Sequence, residues 1–348
     1  MSLPTPTDAK LPSLIVHADW GVAARKRWLA SAAYSQSSGY LLHAAEPVGE
    51  PSSLIARLRS EVEPNETVFV GFDFPIGVPA EYAEAAKIKN FPDWLPQLGK
   101  GPWGDFFDVC REREEISAAR PFYPYGPGGR KQQHLFDALG IADIHALRRE
   151  CERSTTARGP ANPLFWTLGA KQVGKGALTG WRQVLAPGLA AEQPIALWPF
   201  DGNLSELLSQ PQIVVAETYP AEACVQLGMT APSAATWNKR KQSDRRARGH
   251  ELLQWAEGRR LSLHKDLKSQ IKDGFGDGKD GEDPFDAVIG LCAMVEVALG
   301  HRADGAPDSE SVRQVEGWIL GLNAASVLHE RRPARAAGRH KHRLAVKP

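Results

Sequence analysis

Thr67–Pro79, TVFVGFDFPIGVP, decides the fold. Val68, Phe69, Val70 and Phe72 leave neither side of this run polar, which suits a strand covered on both faces in a parallel sheet rather than an alternating surface strand. The run rises to one carboxylate, Asp73, and is stopped by Pro75, Gly77 and Pro79. An acid delivered to the edge of a sheet by a buried strand needs a physical reason, because burying an unpaired carboxylate is costly.

Upstream, Ser13–Asp19 (SLIVHAD) reads as a second strand that ends on a carboxylate, followed by Gly21. Arg27–Tyr34 and Tyr40–Ala45 are two further strand candidates joined by the turn-forming SQSSG, so the three predict an antiparallel meander. Between Ser52 and Val62, residues Leu54, Ile55, Leu58 and Val62 share one face at helical spacing, opposite Arg57, Arg59 and Glu61. With that helix as a right-handed crossover, the 67–79 strand lies parallel to the first and beside it. Asp19 and Asp73 are then expected to be neighbours.

Downstream the character changes. From Pro79 to about Pro194, Trp, Pro, Gly and charged residues alternate with pieces of helical pattern, such as Phe106–Ala119 and Gln133–Glu152. Strand signals return at Ile195–Pro199 and at Ile213–Tyr219, where Glu217 sits near the end. Thr236–Arg260 is polar and basic, then helical. After an acidic loop at 273–282 comes DPFDAVIGLCAMVEVALG, a helix apolar almost all round and therefore buried. Ser311–Leu322 has the pattern of a last amphipathic helix. The expectation is an α/β fold: a mixed sheet of three antiparallel strands followed by parallel ones, flanked by helices, with a large and mostly helical insertion. The divisions are a disordered N-terminus 1–12, core 13–80, insertion 81–194, core 195–327 and a basic disordered tail 328–348.

A chain of 348 residues exceeds what one growing core accommodates, which also favours a core plus an insertion. The net charge of +1 gives no global attraction to nucleic acid or to an anionic membrane, although residues 331–348 hold seven Lys/Arg and no acid. That tail reads either as a solvated end or as a segment binding a phosphate backbone. Cys110, Cys151, Cys224 and Cys292 are far apart and form neither a CxxC pair nor a Cys/His cluster, so no zinc site or disulfide framework is indicated. No apolar run is long enough to span a bilayer, and Met1–Ser13 lacks the pattern of a secretion signal, so no membrane partner is expected and the localisation expected is cytoplasmic.

Acids thus close strands or open the buried helix at Asp19, Asp73, Glu217 and the pair Asp283 and Asp286. Clustered carboxylates raise one another's pKa unless a cation neutralises them, and hard oxygen donors favour Mg2+ or Mn2+. Two such ions clamp the attacking and leaving oxygens of a phosphodiester displacement. For each acid alone a structural reading stands beside this one. Asp283 before Pro284 is an N-cap pattern, Asp286 suits the first-turn dipole, Glu217 suits an exposed strand end, and Asp19 and Asp73 could each cap the segment after it.

HADWG, GFDFPIG, ETYPAE and DPFDAVIGLCAM, in that order, resemble an uncharacterised family (domain of unknown function 429) regarded as RNase H-like nucleases. The acid three residues before Asp-Ala on the buried helix also resembles the Holliday-junction resolvase RuvC. The resemblance covers about 13–80 and 195–300. It implies an RNase H-like sheet and a nuclease hydrolysing phosphodiester bonds of nucleic acid with Mg2+ or Mn2+. Asp19 would match the first-strand catalytic aspartate, Asp73 or Glu217 the acid on a neighbouring strand, and Asp286 with Asp283 the helix acids. The chain departs from the pattern after Asp19, where many members have a Gly-rich turn and this one has Trp20-Gly21-Val22-Ala23-Ala24-Arg25-Lys26-Arg27.

Candidate phosphate or substrate contacts are Arg25, Lys26 and Arg27 after Asp19, equally explained as a solvated turn. Lys171 and Lys175 lie in GAKQVGKG, which nearly matches a P-loop but ends in Gly176, with no hydroxyl for Mg2+. Lys239 and Arg240 open a basic stretch with Trp237 and Trp255 nearby, a pattern suited to unpaired bases or, for the tryptophans, to core packing. Two other functions fit parts of the pattern: an ATP-dependent phosphotransferase of the actin and sugar-kinase type, which would need a true phosphate loop, and a non-catalytic nucleic-acid-binding scaffold.

Overall fold

The computed structural model describes residues 10–169, 173–191, 195–229 and 237–328. Lys171 and the basic tail lie outside them. Among the described residues, eight strands form one mixed sheet: β1 (Leu14–Trp20), β2 (Arg27–Ser35), β3 (Gly39–Leu42), β4 (Glu46–Pro47), β5 (Val68–Phe72), β6 (Ile195–Leu197), β7 (Ile213–Glu217) and β8 (Ser262–Leu263). Their order is β6-β7-β5-β1-β2-β3-β8, with β4 against β2. β1, β2 and β3 pair antiparallel, as their spacing predicts, and β5 runs parallel to β1 with His17 opposite Gly71 and Ala18 opposite Phe72. β7 and β6 continue the parallel half. The helices are α1 (Leu54–Ser60), α2 (Ala80–Ala86), α3 (Phe91–Trp94), α4 (Gln133–Leu139), α5 (Val173–Gly180), α6 (Ala186–Ala190), α7 (Leu204–Ser209), α8 (Pro220–Gln226), α9 (Gln242–Gly258), α10 (Lys265–Asp273) and α11 (Glu282–Ala298). The chain is therefore α/β, with helices on both faces of a mixed sheet.

Alternation along each strand sorts the core into two layers. Leu14, Val16, Ala18 and Trp20 of β1, Val68, Val70 and Phe72 of β5, and Ile213 and Val215 of β7 face one layer, shared with Phe91, Trp94, Phe106, Phe122, Leu164 and Trp181 from the long β5–β6 connection. Ile15, Phe69, Val214 and Ala216 face the other, under α8 and α11. Every residue of α11 from Pro284 to Val297 is buried. Two glycines let α11 lie so close to the sheet: a Cβ on Gly71 of β5 would collide with the Met294 side chain, and one on Gly290 would collide with the His17 ring.

The connection from 81 to 194 is less helical than its pattern predicts. Its described helices are short, and Phe106–Ala119 holds only turns and a 3-10 segment, Arg113–Glu115. Aromatic packing fixes this stretch instead: Phe106 sits edge-on to Trp94 at 5.0 Å and to Phe122 at 5.6 Å. The final helix expected at Ser311–Leu322 is likewise reduced, to one π-helical turn at Val312–Glu316. Gly317, at φ 66°, ends it because any side chain there would meet the Ile76 carbonyl.

One buried ion-pair network joins the connection to the sheet. Arg149 is fully buried; its Nη1 and Nη2 donate to the two carboxylate oxygens of Glu217 at 2.6 and 2.7 Å, and its Nε and Nη2 donate to Glu152 at 3.1 and 2.9 Å. The Ile76 amide donates to Glu217 Oε2 at 2.7 Å. Glu217 therefore corrects the expectation for it: it is neither an exposed strand end nor a member of the acid cluster, but the buried partner of an arginine that sequence reading did not single out. Arg149→Met would leave Glu217 and Glu152 buried without their counter-charge. A loss of about 3–5 kcal/mol is expected in urea unfolding; a loss below about 1 kcal/mol would show that the network does not hold the connection in place.

Candidate active site

Asp19 is the sixth residue of β1 and points, with Ile15 and His17, to the α11 face. Asp73 follows β5 directly, and its Oδ1 accepts from the Trp20 amide at 2.7 Å, which locks its carboxylate against the end of β1. The two carboxyls lie within hydrogen-bonding reach of each other. Asp286, one turn into α11, faces them, and Asp283, in the first turn, stands three residues before it. Three separate elements thus bring Asp19, Asp73 and Asp286 together, with Asp283 at the edge. The predicted neighbourhood of Asp19 and Asp73 is present.

Burial is the main reason their acidities change, and mutual repulsion adds to it. Asp19 is held well above the usual carboxylate range by burial, then by Asp73, Asp286 and Asp283, with Lys239 opposing. Burial pushes Asp73 up to about 7, against the hydrogen bonds from Asp19 and the Trp20 amide. Asp286 is also raised by burial, opposed chiefly by Lys239. Oδ1 of Asp286 is buried and has no hydrogen-bond partner.

Two lysines reach in from opposite sides. Lys26 Nζ pairs with Asp283 Oδ2 at 3.3 Å. Lys239 Nζ pairs in close contact with Asp286 Oδ2 and at 3.3 Å with Glu282. Burial alone would lower the Lys239 pKa; Asp286, Glu282 and Asp19 outweigh it and raise it. Among the described residues no basic side chain forms an ion pair with Asp19 or Asp73. No group of three or more His, Cys, Asp or Glu stands in a metal-holding arrangement there either, and with Lys239 on Asp286 the helix acid is engaged by an ammonium group instead.

Glu217 stays outside this cluster for a reason of register. It pairs with Phe72 across β5 and β7 and so shares Phe72's face, opposite to that of Asp19. Its neighbour Thr218 takes the α11 side, where its hydroxyl meets His17 Nε2 at 2.7 Å. The other ring nitrogen, Nδ1, lies 2.9 Å from the Ala287 carbonyl, which can only accept. Nδ1 therefore carries the proton, and burial lowers the His17 pKa to about 4, so the ring is neutral.

The expected phosphate contacts divide. Arg27 is buried and used up internally: it donates to the Gly21 and Val22 carbonyls and to Gln183, and its guanidinium lies 4.5 Å from the Trp20 ring centre. It staples the turn after Asp19 and is no phosphate contact. Lys26 is tied to Asp283. Arg25 is exposed and forms no ion pair. Arg240 is largely exposed, 3.7 Å from Glu282. Of the rest of the basic stretch, Arg245 is fully buried and donates to the carbonyls of Lys239, Gly274 and Gly276, while Arg246 and Arg248 pair with Asp273 and Glu251. Trp237 packs edge-on against Phe285, and Trp255 donates to Glu296.

The P-loop reading fails on context. Leu164–Leu168 is not a strand, and Gly174, Lys175 and Gly176 lie inside α5 rather than in a loop before it. Their glycines serve close packing: a Cβ on Gly174 would strike the Leu164 carbonyl, and one on Gly180 the Phe74 ring.

Glu282 and the anchoring role of Arg245 escaped the sequence reading. Glu282 was open to it, since it stands four residues before Asp286 on the same helical side; the pairing of Lys239 with an acid 47 residues away carries no local signal. In chelator-treated protein, Asp73→Asn keeps an acceptor for the Trp20 amide and removes a repelled charge. Because the folded pKa of Asp73 is raised, its ionisation costs stability as pH rises from about 4 to about 7 and fully above that. The variant is expected to gain on the wild type across this window by up to about 1.4 kcal/mol per pH unit, then hold level. Urea unfolding at pH 5, 6, 7 and 8 reads this directly, and a gain that does not vary with pH would contradict the uncompensated placement of Asp73. Comparison of the chain with protein-family models, with curated proteins and with solved structures found no match.

Proposed function

We propose that the chain is a metal-dependent nuclease of RNase H-like type, hydrolysing phosphodiester bonds with Mg2+ or Mn2+. The observation that carries this reading is the meeting of Asp19, Asp73 and Asp286 from two parallel strand ends and one helix start, with neither strand acid in an ion pair among the described residues. The strand order, with a three-stranded antiparallel meander continued by parallel β5 and β7, supports it, as does the resemblance of HADWG, GFDFPIG, ETYPAE and DPFDAVIGLCAM to the RNase H-like family. On that reading the segment 81–194 is an insertion into the core.

In donor chemistry these residues suit a divalent cation, although they do not stand in a metal-holding arrangement as they are. Their donors are hard oxygens, burial holds the pKa of Asp19 and of Asp73 above the usual carboxylate range, and Asp286 Oδ1 is a buried acceptor without a donor. Asp19, Asp73 and Asp286 would hold the ion. Bound there, it would supply a more acidic water and charge stabilisation at the leaving oxygen. The protein's own part is positional: the Trp20 amide fixes Asp73, Lys26 pairs with Asp283, and the exposed Arg25 and Arg240 are the remaining candidates for contacts to a nucleic-acid backbone. No observation favours the phosphotransferase, whose phosphate loop is absent among the described residues, and most of the basic stretch that would serve a scaffold is engaged with internal partners.

The test is cleavage of labelled RNA, DNA and RNA–DNA hybrid with Mn2+, Mg2+ or chelator. Cleavage is expected only with metal. Changing residues that merely support metal ligands costs about 10–100-fold, so Asp19→Asn and Asp73→Asn are each expected to lose at least that. Glu217→Gln, by contrast, is expected to lower the melting temperature while its cleavage below that temperature stays metal-dependent. Full activity in both aspartate variants, or in chelator, would sink the nuclease reading.

A further inference from the structure

We propose that this site takes one divalent cation and not two, the Lys239 ammonium standing in the place that a second ion would fill; this rests on the metal-dependent reading of the site.

The charges around the site are sorted by side. On the helix side every acid already has a protein cation: Asp283 has Lys26 at 3.3 Å, Glu282 has Lys239 at 3.3 Å and Arg240 at 3.7 Å, and Asp286 Oδ2 has Lys239 in close contact. On the strand side Asp19 and Asp73 form no ion pair among the described residues, and Lys239 acts on Asp19 only at longer range. The oxygens left without a positive partner are those of Asp19 and Asp73 together with the orphaned, buried Oδ1 of Asp286, a residue only 6% exposed. The unmet negative charge is thus gathered in one place. A second ion on Asp286 Oδ2 and Asp283 would have to displace two ammonium groups, because cations sharing the same oxygens repel.

Lys239 is also built in rather than draped over the site. Its carbonyl accepts from the fully buried Arg245, whose other donors grip the Gly274 and Gly276 carbonyls ahead of α11. The preceding Asn238 amide donates to Asp244 at 2.8 Å, at the start of α9. A Cβ on Gly281 would collide with the Arg245 guanidinium, so the same arginine also sets where α11 begins. The backbone of Lys239 and the acid it pairs with are therefore positioned by one side chain. An ammonium fixed at that place supplies a positive charge and hydrogen-bond donors to an incoming phosphate oxygen, which is the electrostatic part of a second ion's role without its water-activating part.

Mn2+ titration of the full chain by isothermal calorimetry, read alongside the electron paramagnetic resonance of the bound ion, decides the matter without reference to cleavage. The wild type is expected to bind one ion with the spectrum of isolated Mn2+. Lys239→Met frees Asp286 Oδ2 and Glu282 and is expected to bind two, with the spectrum of a coupled pair; Lys239→Arg keeps the charge and stays at one. Two ions in the wild type, or one in both the wild type and a folded Lys239→Met, would overturn the assignment to Lys239. No binding at all would instead overturn the metal-dependent reading on which it rests. Should Lys239→Met fail to fold, the wild-type and Lys239→Arg stoichiometries still decide between one ion and two.

Discussion

A neutral imidazole determines where the acids meet. His17 lies on the same face of β1 as Asp19, two residues before it, and its ring spans from the Ala287 carbonyl of α11 to the Thr218 hydroxyl at the exit of β7. Both ring nitrogens are satisfied only in one tautomer, so the contact has a fixed direction as well as a fixed distance. Gly290, one turn beyond Asp286, is bare because the ring occupies the space a side chain would need. The helix can therefore dock at one height and rotation, and that docking sets Asp286 against Asp19. A charged imidazole is disfavoured in this place, since it would carry a buried charge with no acid paired to it.

The two faces of the sheet deal with buried carboxylates in opposite ways. On the face of the long connection, Glu217 has both oxygens bonded to Arg149 and a third donor in the Ile76 amide, so its capacity as an acceptor is largely used. On the α11 face, Asp19 and Asp73 are set against each other with a single backbone amide between them. A buried acid with its own guanidinium is a fastener, whereas buried acids without one hold an unmet demand for positive charge. The difference follows from one residue of strand register, because Thr218 and Glu217 point to opposite sides.

The parts of this arrangement that are legible in the sequence are those written in local pattern. The uninterrupted apolar run before Asp73, the meander at 13–45 and the all-round apolar helix after Asp286 each state their burial directly, and the crossover rule then brings Asp19 beside Asp73. Glu217 could not be placed in this way. Its face depends on the pairing of β7 with β5, and its partner Arg149 comes from Gln133–Glu152, whose helical pattern is realised only as far as Leu139 and so does not locate the arginine. Gly169–Gly176 misleads for a related reason: a glycine that permits a helix to press on the Leu164 carbonyl, as Gly174 does, looks the same, in one dimension, as one that cradles a phosphate. The basic run at 239–248 misleads because charge density in sequence says nothing of direction, and there Lys239 turns to Asp286 and Glu282, Arg245 to three backbone carbonyls and Arg248 to Glu251. Phe106–Ala119 has helical spacing, yet the aromatic packing of Phe106 outweighs a weak propensity.

What separates this cluster from an ordinary buried ion pair is that its positive charges arrive from the helix side and stop there. Lys26 comes from the turn after β1, held in shape by the Arg27 staple, and Lys239 comes from the approach to α9, held by Arg245. Neither lysine forms an ion pair with Asp19 or Asp73. The anchoring arginines bond backbone carbonyls around them, which fixes the lysine backbones where they stand. The fold thereby maintains a local deficit of positive charge at the sheet edge, where burial and then repulsion raise the pKa of both strand acids, and that maintained deficit is the physical property a hard cation would satisfy.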